Sequence, residues 1–328
     1  MIIAVDAAGG DHFPQNPVQG ALSALKEDES IQVVLLGPEE IIREELEQYD
    51  GYDGKRLHIQ DAPQVIEMDE SPSQAVKNKR NSSIVVGLGM HKAGKADAFV
   101  SAGNTGALLA ASTFILGKLE GVLRPTIASV FPTVKGARLL VDAGANLELK
   151  PEMYAQFGLM SSIYIREVMG IEDPKVALLN VGEEKGKGTE LLREAYEYLS
   201  DLPNFIGNVE GRDILPGKAD IFISDGLVGN ILLKFGESVP EALKVMIGTA
   251  IKKSGLDPEI AQQLGELLKI ALTDFNHENV GGIPFLGVNG VSMVGHGGSS
   301  PLAMKNMIMN AAKCAGANVN EKIVASLN

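Results

Sequence analysis

The chain has 328 residues, of which 45% are hydrophobic, and acidic residues outnumber basic ones by 42 to 29. This length and apolar fraction suffice for one large or two modest folded domains, which excludes a disordered chain. The net charge of −13 argues against nucleic acid as a partner, because binding to its phosphates depends on Lys and Arg. Glycine is abundant at 37 residues, whereas aromatic residues make up only 5% of the chain.

Seven short runs of mainly Val, Ile and Leu predict β-strands along the chain. They are Ile2–Val5, Ile31–Leu36, Leu57–Ile59, Ala98–Val100, Leu139–Val141, Val176–Leu179 and Ile221–Ile223. Most precede a segment with helical periodicity, and their residues are apolar on both faces, as is typical of buried parallel strands. The sequence therefore predicts an α/β protein: a doubly wound, mostly parallel sheet between helices, in a single unit spanning residues 1–328.

Polar, glycine-rich clusters follow most of these strands. The clusters are Asp6–His12, Ser101–Ala107, Val141–Asn146, Asn180–Gly188, Gly207–Asp213 and Ser224–Asn230. Each alone is typical of an ordinary turn. In an open parallel sheet, however, the carboxyl ends of the strands share one edge, where ligands bind. We therefore expect the clusters to form a shared site at one edge of the sheet.

A segment over residues 238–275 interrupts this alternation and predicts a projecting pair of helices, with Pro258 in the first turn of the second. The second helix carries an apolar stripe of Ile260, Leu264, Leu267, Leu268, Ala271 and Phe275. The protein's own core or a second subunit would cover this stripe. The alternative is a membrane surface or an acyl chain, with Leu264, Leu267, Leu268 and Phe275 as the contacts.

The cluster Ser101–Ala107 has the form strand, turn, helix, and a helix N-terminus favours an anion. Ser101, Asn104 and Thr105 supply hydroxyl and amide groups that suit phosphate, while the glycine patterns typical of nucleotide binding are absent. His12 and His296 are candidates for a general base or an anion donor, or else structural histidines. The chain has no G-x-S-x-G motif, and its one cysteine, Cys314, lies in no catalytic motif, so a covalent acyl-enzyme is not indicated.

Two further features concern partners and location. The run from Lys77 to Arg80 is the densest basic segment, and it is either a solvated surface or a docking site for an acidic protein. The lone cysteine fits a reducing compartment, and no stretch approaches the roughly 20 apolar residues of a spanning helix. We expect a cytoplasmic protein whose membrane contact, if any, is peripheral. Histidine and cysteine are scarce near the polar clusters, so no metal site is assigned.

The motifs, taken together, resemble one family over nearly the whole chain. Those motifs are DAAGGDH, SAGNTGALLAA, VDAGAN, NVGEE, FIGNVEGRD, SDGLVGN, GGIPFLG and HGGSS, in that order. They resemble bacterial phosphate acyltransferases of phospholipid synthesis. The resemblance implies a Rossmann-like α/β/α fold related to isopropylmalate dehydrogenases, a homodimer and no cofactor. It also implies a reaction in which the acyl group of an acyl-[acyl-carrier-protein] passes to inorganic phosphate.

Phosphate is its own nucleophile in such a reaction, so the enzyme need only orient it and stabilise the developing charge. We therefore expect phosphate to bind at Ser101, Gly103, Asn104, Thr105 and Gly106. The expected catalytic residues are Asp6 and His12 for orientation or proton transfer, Asn146, Asn180 and Asn230 as hydrogen-bond partners, and Lys187 and His296 for charge. Carrier-protein docking is assigned to Lys77, Lys79 and Arg80.

Three alternatives stay open on sequence alone. The first is an enzyme like phosphate acetyltransferase that uses acyl-coenzyme A. The second is a nicotinamide-dependent dehydrogenase, which the missing dinucleotide motif disfavours. The third is a non-catalytic module that binds phosphate or the acyl carrier.

Overall fold

A computed structural model describes residues 1–50, 54–272 and 281–327. Its strands are β1 (Ile2–Asp6), β2 (Gln32–Gly37), β3 (Leu57–Asp61), β4 (Ala98–Ser101), β5 (Thr126–Thr133), β6 (Gly136–Val141), β7 (Val176–Leu179), β8 (Phe205–Val209), β9 (Ile221–Ile223), β10 (Ile283–Leu286) and β11 (Val291–Val294). Its helices are α1 (Gln15–Glu27), α2 (Glu39–Leu46), α3 (Pro72–Asn78), α4 (Ser83–Lys92), α5 (Thr105–Ala111), α6 (Pro151–Met169), α7 (Glu190–Leu199), α8 (Gly226–Lys253), α9 (Pro258–Ala271), α10 (Pro301–Gly316) and α11 (Val319–Leu327). A π-helical turn, Ser112–Leu116, directly follows α5.

These strands form one sheet in the order β3-β2-β1-β4-β11-β10-β5-β6-β9-β7-β8. Neighbours are parallel from β3 to β11 and again from β6 to β8. Strands β10 and β5, between these two groups, pair antiparallel with each other and with their other neighbours. The predicted doubly wound, mostly parallel α/β fold is confirmed. It consists of two parallel half-sheets joined by an antiparallel centre.

The expectation that all the glycine-rich clusters lie at one edge is wrong. Three successive antiparallel pairings separate the two half-sheets, so β1 and β4 run opposite to β6, β7, β8 and β9 along the sheet. The clusters therefore form two groups, one at the carboxyl ends of each half-sheet. The sequence missed this reversal because β5 and β10 contain Pro132 and Pro284 and do not read as continuous apolar runs.

Helices cover both faces of the sheet, and alternate strand residues face the two layers. Ile3 and Val5 of β1 belong to the core beneath α1, α6 and α10, whereas Ala4 faces the layer that contains α4 and α5. The first part of α8 also covers this second face, where Leu233 packs with Phe131 of β5.

Helix α8 lies unusually close to the sheet at its first turns. Asp225 caps the helix by accepting a hydrogen bond from Val228 N at 2.9 Å. A Cβ atom at Gly229 would lie only 1.8 Å from the carbonyl oxygen of Asp142, so any other residue would push the helix away. The predicted start of the helical pair at residue 238 is therefore wrong. The residues from Gly226 onward, which were predicted as a turn, form the first turns of this helix and pack closely against the sheet.

Beyond the buried Pro240, α8 leaves the sheet and pairs with α9 to form the predicted projecting hairpin. Pro258 lies in the first turn of α9, as predicted. Leu264 and Leu267 are exposed at 38% and 61%, and Leu268 is half-buried. Phe275 lies outside the described residues. None of the helices in the described ranges is long and apolar enough to cross a membrane.

His91 joins the end of α4 to the start of β11. Its Nε2 accepts a hydrogen bond from Val291 N at 2.9 Å, and its Nδ1 contacts the carbonyl oxygen of Ala96 at 2.8 Å. The carbonyl can only accept, so Nδ1 carries the proton and the ring is neutral. Burial lowers the pKa of His91 from its ordinary value of 6.5.

We predict that His91 makes the free energy of unfolding fall in acid. Its pKa is lower in the folded than in the unfolded chain, so its contribution is complete above the unfolded value of 6.5 and is lost as the pH falls through the lowered folded pKa. His91→Gln keeps a donor and an acceptor but does not titrate. Urea unfolding between about pH 8 and about pH 5 should show a shallower dependence for this variant. Equal slopes would contradict the prediction.

Candidate active site

A cavity of about 570 Å³ lies on the face of the sheet that α5 and α8 cover. Its floor includes Ile127, Ser129 and Phe131, alternate residues on one face of β5. Helix α5 contributes Thr105, Gly106 and Leu109, and α8 contributes Asn230, Leu233, Lys234, Gly236 and Glu237. The cavity therefore lies where the two half-sheets meet, and it draws residues from both groups of glycine-rich clusters.

Loops from the first half-sheet make the cavity polar at one end. Asp11, in the loop after β1, and His296, Gly297 and Ser299, in the loop after β11, all line it. The two loops are joined, because Asp11 N donates a hydrogen bond to the carbonyl oxygen of Gly297 at 2.8 Å. His296 is exposed, and its Nδ1 accepts a hydrogen bond from Gly298 N at 3.2 Å. An imidazole and a carboxylate thus line the cavity at this end.

Asp6 lies fully buried next to this region rather than in the cavity lining. Its Oδ1 accepts a hydrogen bond from Ala8 N at 3.0 Å, and its Oδ2 accepts one from the Ser101 hydroxyl at 2.6 Å. The Ser101 oxygen in turn accepts from Gly103 N at 2.9 Å. Burial raises the pKa of Asp6, and these donors lower it in part. These hydrogen bonds hold the loops after β1 and β4 together. Asp6 and Ser101 therefore maintain the shape of the site.

Asn104 also holds neighbouring segments in place. Its Oδ1 accepts a hydrogen bond from Ala107 N at 2.9 Å and caps α5. Its Nδ2 lies 3.1 to 3.2 Å from the carbonyl oxygens of Glu67, Met68 and Glu70 and donates to them. The amide is therefore engaged on both sides. Thr105 and Gly106, the next two residues, do line the cavity, so the predicted phosphate cluster divides into a buried support and a surface that a ligand can reach.

Asp142 organises the loop that follows β6. Its buried carboxylate accepts hydrogen bonds from Ile127 N, Ala145 N, Asn146 N and Asn146 Nδ2, over 2.6 to 3.2 Å. Burial raises the pKa of Asp142, and these donors counteract part of that effect. Asn146 Nδ2 also donates to the carbonyl oxygen of Pro125 at 2.9 Å, and the Asn146 carbonyl accepts from Gly226 N at 2.8 Å. Asn146 therefore links this loop to the start of α8.

Besides Asp6 and Asn146, three further predicted catalytic residues lie outside the cavity lining. His12 is exposed in the loop before α1. Asn180 donates through Nδ2 to the carbonyl oxygen of Lys187 at 3.2 Å, within the loop after β7. The Lys187 ammonium is exposed and lies 3.9 Å from Glu184. Of the predicted catalytic residues, Asn230 and His296 line the cavity, and the catalytic roles of all of them stay predictions.

The predicted docking residues have different environments. Lys79 is half-buried, donates to the carbonyl oxygen of Val65 at 2.5 Å and pairs with Glu70. Lys77 and Arg80 are exposed at the end of α3. Helix α3 lies directly against α5, since a Cβ atom at Gly106 would come within 2.7 Å of Pro72. Two exposed positive charges thus lie at the far end of the helix that packs against α5.

Sequence reasoning missed several cavity residues. Asp11, Ser129 and Ser299 line the cavity without having been assigned a role, although Asp11 lies in the DAAGGDH motif and Ser299 in HGGSS. Lys234, which the sequence marks as a cation beside the cluster Ser224–Asn230, also lines the cavity, and its ammonium lies 2.8 Å from Glu237. Within residues 1–50, 54–272 and 281–327, no group of three or more His, Cys, Asp or Glu side chains could hold a metal ion.

A doubly wound α/β sheet with a cavity at the junction of its halves, polar at one end and apolar along its floor, is typical of enzymes that bind small molecules. Residues 1–322 match the family described as "Fatty acid synthesis protein". A phosphate acyltransferase of Chlorobaculum parvum is 47% identical, over 100% of this chain and 99% of that protein. One from Chlorobaculum tepidum is 48% identical, over 97% and 99%.

The chain therefore belongs to the phosphate acyltransferase family and is an acyltransferase, so the predicted family is confirmed. Among solved structures, a phosphotransacetylase from Streptococcus pyogenes is similar in fold, with a TM-score of 0.62 at 19% identity, over 97% of this chain and 94% of that chain. At this identity the likeness supports the α/β fold alone.

We predict that Asp142→Ala lowers the free energy of unfolding by about 3 kcal/mol or more, because it leaves buried N–H donors without an acceptor. Ser224→Ala is the matched control. The Ser224 hydroxyl is buried nearby and has no hydrogen-bond partner among the described residues, so its removal should change stability by less than about 0.5 kcal/mol. Chemical unfolding measures both. Similar effects of the two substitutions would show that the Asp142 carboxylate does not organise this loop.

Proposed function

We propose that this enzyme transfers the acyl group of an acyl-[acyl-carrier-protein] to inorganic phosphate, releasing acyl phosphate and the free carrier protein in the cytoplasm. The observation that carries the proposal is the cavity itself. Its lining contains Thr105, Asn230 and His296, whose groups suit phosphate and a thioester carbonyl, and Ile127 and Leu233, whose side chains suit an aliphatic chain.

The reaction needs no nucleophile from the protein. A phosphate oxygen attacks the thioester carbonyl carbon, the carbon–sulfur bond breaks, and the sulfur leaves with the proton that the phosphate loses. With Nδ1 accepting a hydrogen bond from Gly298 N, the neutral His296 ring carries its proton on Nε2, which can donate a hydrogen bond to the phosphate or to the thioester oxygen as charge develops. The first turn of α5, at Thr105 and Gly106, and the Asn230 amide supply hydrogen-bond donors for phosphate and for the carbonyl oxygen as negative charge develops.

Lys77 and Arg80 are the proposed contacts for the carrier protein. Both are exposed, and their helix packs beside the cavity on α5. A positive patch on a protein with a net charge of −13 steers an acidic partner to one place, because the rest of the surface repels it. Lys79 contributes to this surface by holding the end of α3 in place through its bonds to Val65 and Glu70.

The hairpin of α8 and α9 is the proposed contact with a second subunit. Val245, Met246, Leu267 and Ile270 are all more than 60% exposed, and apolar surface on this scale is typical of a protein interface or a membrane contact. Basic residues are few on α9, which favours the homodimer over a peripheral membrane contact.

We predict that His296→Ala lowers phosphate-dependent transfer about a hundredfold or more, because it removes a hydrogen-bond donor to the charge that develops in the reaction. His58→Ala is the matched control, since His58 is also exposed but lies on the edge strand β3, outside the cavity lining. It should keep most of the activity. Release of free thiol from acyl-[acyl-carrier-protein], with and without phosphate, measures both.

Three outcomes would contradict this proposal. Thiol release that does not need phosphate would indicate a thioesterase. Release from acyl-coenzyme A but not from the carrier protein would indicate an enzyme like phosphate acetyltransferase. Absence of release from either would favour a binding module.

We predict that Lys77→Glu with Arg80→Glu raises KM for the carrier-protein thioester roughly tenfold, with kcat unchanged, because it reverses charge only at the docking surface. The rate with a small acyl thioester should not change. Lys92→Glu with Lys95→Glu is the control. It alters net charge equally but lies near the amino end of β4, away from the cavity. Equal effects of both double variants would point to net charge rather than docking.

A further inference from the structure

Residues 65–70, which we call the strap, lie in the connection from β3 to α3 and have no regular secondary structure. Met68 in the strap is exposed and lines the cavity. A Cβ atom at Gly297 would lie 3.2 Å from Met68 Cε and 3.2 Å from Asp11 Oδ1. The strap therefore contacts the loop that carries His296 at the place where that loop meets Asp11.

Lys79, the residue directly after α3, binds the strap at two points. Its ammonium donates a hydrogen bond to the carbonyl oxygen of Val65 at 2.5 Å and forms an ion pair with the carboxylate of Glu70. That carboxylate also accepts a hydrogen bond from Glu67 N at 2.8 Å. Both side chains of the ion pair are only 29% exposed, so water and salt screen it less than a fully exposed pair.

Asn104 connects the strap to α5. Its Nδ2 donates to three carbonyl oxygens of the strap at 3.1 to 3.2 Å, and its Oδ1 caps α5 by accepting from Ala107 N at 2.9 Å. Thr105 and Gly106, which line the cavity, directly follow this cap. A displacement of the strap would therefore act on the first turn of α5 through a single amide.

Lys79 differs in this respect from the two basic residues beside it. Lys77 and Arg80 are exposed, whereas the charge of Lys79 is paired with Glu70 and its ammonium also donates to the strap. A paired charge attracts an acidic partner less than an unpaired one. The contacts of Lys79 are thus those of a residue that holds the strap.

We propose that Lys79 is a positioning residue for acyl transfer, because it holds the strap between the first turn of α5 and the loop that carries His296. The inference rests on the proposed function, which takes Thr105, Gly106 and His296 as groups that bind the substrates. Lys79 acts through Glu70, the strap and Asn104. Small displacements of such binding groups are enough to weaken a reaction that depends on orientation.

The test measures KM for phosphate with acyl-[acyl-carrier-protein] and with a small acyl thioester. Lys79→Met removes the ammonium, and we expect KM for phosphate to rise about tenfold or more with either thioester, because the groups that bind phosphate are displaced. Lys79→Arg keeps the charge and the N–H donors, so its KM should return toward that of the unsubstituted protein. A docking residue would instead raise KM for the carrier-protein thioester alone.

Two further variants complete the test. Glu70→Ala removes the other partner of the ion pair and should also raise KM for phosphate. Because both substitutions break one interaction, the effects of Lys79→Met and Glu70→Ala should not add in the double variant. Lys322→Met is the matched control, since Lys322 also pairs with a glutamate, Glu167, at 2.6 Å, but joins α11 to α6 on the other face of the sheet. It should leave KM for phosphate unchanged.

Thermal unfolding of every variant separates loss of positioning from loss of the fold. A folded Lys79→Met variant with an unchanged KM for phosphate would overturn the positioning role and leave the proposed function intact. If that variant does not fold, an unchanged KM in Glu70→Ala has the same meaning. Failure of the unsubstituted protein to form acyl phosphate from either thioester would instead overturn the proposed function, so the two failures are distinguishable.

Discussion

The seating of α8 on the backbone of the loop after β6 is the contact on which the rest of the site depends. Gly226 N donates to the carbonyl oxygen of Asn146, and Gly229 faces the carbonyl of Asp142 at a distance that leaves no room for a side chain. The Asp142 carboxylate fixes that loop by accepting four hydrogen bonds. A shift of the loop would move α8, and with it Asn230, Leu233 and one wall of the cavity.

The reversal at the centre of the sheet supplies the other wall. Strand β5 pairs antiparallel with both β10 and β6, so it presents Ile127, Ser129 and Phe131 along one face between two half-sheets that run in opposite directions. Helix α5 approaches this face from one half-sheet and α8 from the other. The cavity is therefore a product of the junction. Neither half-sheet alone carries a surface with both the His296 loop and the start of α8.

Sequence periodicity predicted the strands that make up the two half-sheets, because β1, β2, β4, β7 and β9 are buried on both faces and read as apolar runs. It missed β5, β8, β10 and β11. Strand β5 contains Ser129 and Pro132, and β11 contains Ser292, so their patterns resemble loops. The missed strands include both antiparallel members that reverse the sheet. This is the physical reason why a shared edge was expected where the structure has a junction.

The candidate site was predictable by residue type but not by role. Ser101 and Asn104 carry the hydroxyl and amide groups expected of a phosphate site, yet their bonds to Asp6 and to the carbonyl oxygens of Glu67, Met68 and Glu70 engage them in holding loops. A sequence motif indicates that a polar group is required at a position. Only the structure distinguishes a group that holds a loop from one that lines the cavity. Thr105, one residue further along, faces the cavity because the Asn104 cap has already begun the helix.

The glycines, like the polar residues, include several that hold the fold of the site rather than contact a ligand. The notable glycines of this chain do not all surround a small anion, since Gly229 and Gly236 lie within a helix and face a carbonyl and an aromatic ring. They allow α8 to lie close to the sheet. The helix backbone, rather than a layer of side chains, therefore covers this part of the cavity. The floor beneath this helix follows β5 from Ile127 to Phe131 and is partly aliphatic. Such a surface suits a fatty acyl chain, which is itself long and apolar.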